Sequence, residues 1–263
     1  MLKQAFFTVI IFAFLGTHVQ AQPDSAVSDS TLSAEAYQEH GVPDPDELWS
    51  TDELRQANLA LHAIANENIQ WLPRHDDEES GAVFDRIVSL ENFLQHKDAD
   101  IEVVAQKWGL MSQYFHPLLQ LYIQAYEESG EYRTEIVDIT GLILAMQDLM
   151  VEHFSPLLKD AEDNPESNME QVRSGHRQMK QGASQSVIGT FMFISDPEFL
   201  SETLLHRVMD HLENPLPQLA AFVNDEQREL MIQWIDVALD EWGANDIADR
   251  LSGMRSVIVN ADQ

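Results

Sequence analysis

STDELRQANLALHAIANENI, residues 50–69, decides the fold class. Ser50 and Glu53 stand three apart, the spacing of a capping box in which each side chain answers the other's orphan backbone N–H. Behind them Leu54, Ala57, Leu61, Ile64, Ala65 and Ile69 recur at three- and four-residue steps, which lines one helical face with apolar groups. Pro73 and the acidic knot from Asp76 to Glu79 end this helix.

The same period continues downstream. A second helix is predicted from about Gly81 to His96 on Val83, Phe84, Ile87, Val88 and Leu94, and a third from near Asp100, with Gly109 as a break. Met111, Phe115, Leu118, Leu119, Tyr122 and Ile123 resume the pattern up to Gly130. A fourth helix is expected from Glu131 to Phe154, then a polar loop at Asp160 to Asn168 and a long helix to Ile194. Asp196-Pro197 reads as a cap followed by proline at the first helical position, for a helix ending near Asn214-Pro215. Asn224 caps the next, Gly243 ends it, and Asn245 starts a last helix toward Ile258. No segment alternates over six residues, and no Asn-Gly or Asp-Gly hairpin turn occurs. The expected class is all-α: a multi-helix bundle or a short α-solenoid-like array of about eight to ten helices.

Leu110 to Leu119 and Leu149 to Leu158 share six of ten residues at an offset of 39, and His211, Leu212 and Pro215-Leu216 form a looser third copy. Two readings stand. One is a duplicated two-helix unit, each copy closing a helix before a proline; the other is chance recurrence in a Leu- and Met-rich chain.

Lys3, the apolar run from Ala5 to Leu15 and the small residues Val19 and Ala21 have the build of a secretory signal peptide over 1–21. The expected organisation is this signal, a flexible acidic, Pro- and Ser-rich leader over 22–47, and a single all-helical domain over 48–260. The expected compartment is periplasmic or secreted. Without the signal, 14 basic residues face 45 acidic ones. Such a surface repels nucleic acid and anionic lipid, and suits solubility in salty water or attraction of cations or a basic partner. No later apolar run reaches membrane length, so no stable insertion is expected. The absence of cysteine removes disulfides, thiolate zinc sites and thiol nucleophiles.

The chain holds no His-Glu-x-x-His and no glycine-rich phosphate loop. Gly182-Ala183-Ser184-Gln185-Ser186 lacks the closing glycine of a nucleophile elbow and follows no strand. Two patterns remain. Glu202, His206 and Asp210, at i, i+4 and i+8, align two carboxylates and an imidazole on one helix face and suit zinc or manganese; ordinary solvated acid–His pairs have the same spacing. Arg173, His176, Arg177 and Lys180 make a basic stripe, placed either to hold an anionic ligand or to dock internally. Gly175, Gly182 and Gly189 follow at seven-residue steps, as for a close helix approach or a groove. The leading expectation is a non-enzymatic helical binding protein without a cofactor, with Arg173, His176, Arg177, Lys180 and Gly182 at the site and a protein, peptide or small molecule as ligand. The alternative is a metal-dependent enzyme or metal carrier.

Overall fold

The computed structural model describes residues 32–163, 169–242 and 246–261, the side chains of 101, 102, 157–163 and 169–173 excepted. The expected signal peptide, the leader before Leu32, and the expected helix breaks at Gly243 and Asn245 lie outside the described residues. Within them the chain is all-α: eleven α-helices, one 3-10 turn and no strand. No described helix is long and apolar enough to cross a membrane.

Residues 33–49 do not behave as a free leader. Ser33 caps the short helix α1 (Ala34–Glu39), and Tyr37, Val42 and Trp49 are buried. Polar side chains from the rest of the domain clamp this strap by its backbone. Gln56 Nε2 donates to Gly41 O, Arg86 Nε to Pro45 O, and the Trp49 N–H to Asn92 Oδ1. Composition hid this packing, because three buried aromatic and branched residues are diluted among Pro, Ser and Asp.

The capping box at Ser50 and Glu53 forms with both reciprocal bonds and starts α2 (Thr51–Glu67). A 3-10 turn (Ile69–Trp71) follows. Three tyrosine hydroxyls hold the backbone around it: Tyr37 donates to Trp71 O, Tyr132 to Gln70 O and Tyr122 to Pro73 O, at 2.6, 2.8 and 2.8 Å. The expected second helix is two short ones, α3 (Gly81–Ile87) and α4 (Glu91–Leu94).

Two long helices then form an antiparallel hairpin, α5 (Ile101–Ser129) and α6 (Arg133–Asp163). Contacts of Trp108 with His153 and Phe154 at one end, and of Arg133 with Tyr126 at the turn, set the direction. The expected break at Gly109 is absent, and Pro117 and Pro156 lie inside the helices instead of restarting them. A proline forfeits one backbone bond and crowds a carbonyl, a local cost that a helix of eight turns held by packing on its neighbours survives. The two copies of the ten-residue block thus fall on consecutive antiparallel helices. Equivalent segments of a two-helix repeat would run in the same direction. Gly130 ends α5 in the left-handed region (φ 76°), where the lack of a β-carbon removes the strain. Tyr132 follows at φ 68°, a conformation unusual for a bulky residue. Its ring is held against Tyr122 and under the Arg74 guanidinium, 4.6 Å from the ring centre.

α7 (Met169–Ile194) packs on α6, and α8 (Glu202–Glu213) packs on α6 and α7. α8 starts at a Ser201 cap, because Asp196 spends its carboxylate on the backbone N–H groups of Glu198 and Phe199 in a separate turn. The short α9 (Leu216–Phe222) touches α6, α7 and α11, and Asn224 and Gln227 form a reciprocal cap for α10 (Asp225–Trp242). α11 (Asp246–Val259) lies along α10. α6 is therefore surrounded, with α5, α7, α8 and α9 all packed on it.

One half-buried acid on α6 gives a pH test. Asp148 Oδ1 is buried with no hydrogen-bond partner, and burial, with Glu152 close by, lifts its carboxyl to about pKa 6. Between about pH 4 and 6 the folded chain keeps a proton that the unfolded chain has lost, so stability falls as pH rises through that window and stays lower above it. Asp148→Asn removes the loss. In urea melts it is expected to be more stable than the parent at pH 7 and equal to it at pH 3.5.

Candidate functional site

The acid–His–acid face of α8 holds a guanidinium. Arg250 on α11 sends Nη2 to Asp210 Oδ1 at 2.7 Å, Nε to Glu213 Oε1 at 2.7 Å and Nη1 to His206 Nδ1 at 3.1 Å. A guanidinium only donates, so His206 Nδ1 accepts, and Nε2 faces Asp246 at 3.8 Å. The bond to Glu213, opposed by partial burial and helped by Asp210, raises the Arg250 pKa further. Glu202 is exposed in the first turn of the helix. The spacing aligned Glu202, His206 and Asp210 as expected, but Arg250 answers the charge that zinc or manganese was to answer. Among the described residues no group of three or more His, Asp or Glu side chains is arranged to hold a metal ion. The signal for Arg250 lay 40 residues downstream of Asp210, beyond the reach of helical spacing.

Two members of the basic stripe of α7, His176 and Lys180, pack against an aromatic ring. Lys180 Nζ stands 5.6 Å from the Phe222 ring centre and the His176 ring 5.3 Å from it, so α9 covers this part of the stripe. Arg177 is exposed, and the Arg173 side chain lies outside the described residues. Of the three spaced glycines, Gly182 alone meets a neighbour: a β-carbon there would stand 3.2 Å from the amide nitrogen of the buried Gln147 on α6. At Gly175 and Gly189 nothing lies within 4 Å. The seven-residue spacing therefore gives one side-chain contact, at Gly182, and open space at the other two glycines.

Among the described glycines the closest approach is elsewhere. A β-carbon at Gly141, in the third turn of α6, would stand 2.5 Å from the imidazole Cγ of His211 on α8. One turn before it, Asp138 is 6 % exposed and receives Arg207 on both oxygens, Nε to Oδ1 and Nη2 to Oδ2, each at 2.6 Å. His211 Nε2 lies 3.4 Å from Oδ1. Arg207 and His211 sit one turn apart on α8 and grip one buried carboxylate. The sequence signal was a glycine amid Ile139, Leu142, Ile143 and Leu144: an interior helical glycine costs about 1 kcal/mol against alanine unless something needs its space.

A carboxylate beside an imidazole is the pairing of a general base with its orienting acid, yet Nε2 of His211 faces the acid and its ring face lies on Gly141. As placed, the trio is an electrostatic crosslink between α6 and α8. Asp138 is buried while Arg207 and His211 stay about one-third exposed, so removing Arg207 strands a buried carboxylate.

No protein-family model matches this chain, and comparison with curated proteins and with solved structures finds no match.

The contact of Gly141 with His211 is testable as a cycle. Gly141→Ala is expected to destabilise the protein by about 1–3 kcal/mol in urea melts, the cost of overpacking. In the His211→Ala background the same change is expected to be neutral or stabilising, as alanine's helix propensity takes over. Equal costs in both backgrounds would contradict the geometry.

Proposed function

We propose that this protein is a non-enzymatic helical binding protein that works outside the cytoplasm, periplasmic or secreted, by holding a macromolecular partner on its surface. The observation that carries the reading is the fate of three sets of chemically versatile side chains. Arg250 takes up His206, Asp210 and Glu213; Arg207 and His211 take up Asp138; Phe222 takes up His176 and Lys180. Each of these groups, which could have served a reaction, supports the fold.

What is left over is charge. Fifteen Lys and Arg face forty-five Asp and Glu in the whole chain, so carboxylates dominate the outer surface and favour a cationic partner at long range. The export part of the reading rests on Lys3, the apolar run from Ala5 to Leu15 and Ala21.

Cross-linking of the full chain in the cells that make it tests the reading. The expected result is one discrete adduct, whose purified partner rebinds the chain with an affinity that falls as salt rises. Turnover of a substrate that His211→Ala abolishes, with no adduct formed, would replace binding by catalysis.

A further inference from the structure

α10 buries Arg228, Met231, Ile235 and Ala238 against its neighbours. On a flank turned away from that seam, Leu230, Trp234 and Val237 follow at steps of four and three residues. Leu230 is 41 % and Val237 48 % exposed, and Trp234 is half-buried. Scattered exposed apolar residues are ordinary; a row of three on two helical turns is a surface that another helix can cover.

On α10 itself the exposed charges are all carboxylates, while the part-exposed Arg255 of α11 is paired with Asp236. Glu226, Glu229, Asp240 and Glu241 are exposed on the same helix. Its one cationic residue, Arg228, is buried, with its guanidinium bonded to the Ala220 and Val223 carbonyls and to Asp225. This rim selects among occupants. A second copy would set the same carboxylates against one another and press two chains of net charge −30 together. A neutral helix would leave the rim unanswered. A helix with an apolar stripe between lysines or arginines answers both parts.

We propose that the outer face of α10 is the docking surface for a cationic amphipathic helix, laid over Leu230, Trp234 and Val237 with its basic side chains among Glu226, Glu229, Asp240 and Glu241. The inference rests on the binding reading above and supplies the chemistry of the partner. The distance from Glu226 to Glu241 along the axis is about 22 Å, so a partner helix of about 15 residues covers it.

The probe is an 18-residue Leu/Lys peptide with amphipathic helical spacing, titrated calorimetrically into the full chain beside a scrambled isomer of the same composition. The amphipathic peptide is expected to bind at least tenfold more tightly than the isomer. Leu230→Ser with Val237→Ser is expected to lose that tenfold preference. Glu226→Gln, Glu229→Gln, Asp240→Asn and Glu241→Gln together should weaken binding and flatten its salt dependence. Circular dichroism of both variants should match that of the parent. Should the serine variant lose its helix signal, Leu230→Lys alone, which keeps helix propensity and adds a repelling charge, is expected to give the same loss of preference. Equal affinity for the isomer overturns the inference and leaves the binding reading standing, since charge alone then suffices. Concentration-dependent dimers of the parent in sedimentation, abolished by the serine changes, overturn it in favour of a second copy. A partner cross-linked in cells to some other face refutes the docking site alone; turnover without any adduct refutes both.

Discussion

A helix face buried beneath its neighbours has no solvent to leave its polar groups in, and α6 is buried at every residue from Glu135 to Gln147 except Ala145. Its 31 residues run about 46 Å through the domain beneath α5, α7, α8 and α9. Ile136, Val137, Ile139, Leu142, Ile143, Leu144 and Met146 fill the contact, but Glu135, Asp138, Thr140 and Gln147 are buried with them. A buried polar group without a partner costs more than its hydrogen bond would return. The partners come from all over the chain. The His75 N–H reaches Glu135, whose carboxyl burial pushes upward in pKa; Arg207 and His211 reach Asp138; Thr140 turns back on the Ile136 carbonyl. Gln147 lies where Gly182 makes room. The buried polar set of α6 thus calls for a backbone N–H from the loop at His75, space at Gly182 on α7, and Arg207 and His211 on α8.

Cations are scarce in this chain, and the fold uses them as ties. Arg74 reaches Glu131, Arg207 reaches Asp138, Arg250 bridges α11 to α8, and Arg255 bridges α11 to Asp236 on α10. Arg207 alone among these grips a buried partner; the others work at the surface, where an ion pair contributes about 0–1 kcal/mol. Spending arginines between helices leaves the outer faces nearly uniform in sign. Salt weakens both the outer ties and the self-repulsion, so the net response of stability to salt is a contest between them.

Local signals in the sequence were legible where a local interaction decides the outcome. The capping box at Ser50, the reciprocal cap at Asn224 and the end at Gly130 are short-range chemistry, and each formed as spaced. Helical period alone carried the all-α class. The errors arose where tertiary packing overruled a local signal. Gly109 is expected to break a helix, and the duplicated-unit reading closes helices before Pro117 and Pro156; none of the three interrupts its helix. The site residues were harder still. Helical spacing placed His206 and Asp210 on one face correctly, but the group opposite them, Arg250, comes from another helix. Gly141 carries no local sign of its role, because its reason, the ring of His211, is 70 residues away. The strap of 33–49 was missed because composition averages over the few buried side chains that hold it.

The three tyrosines that grip the 69–73 segment bond to its carbonyl oxygens. Every amino acid carries that oxygen, so the clamp is blind to what the segment is made of. Drift at Gln70, whose side chain is exposed, leaves the grip intact, whereas each tyrosine is irreplaceable by anything lacking a hydroxyl at that reach. Beside its own buried Leu72 and Pro73, the loop's place in the fold is thus written in residues 37, 122 and 132, at a distance from the loop itself. A lineage of such chains would keep its identity at those three positions while the loop between α2 and α3 diverged.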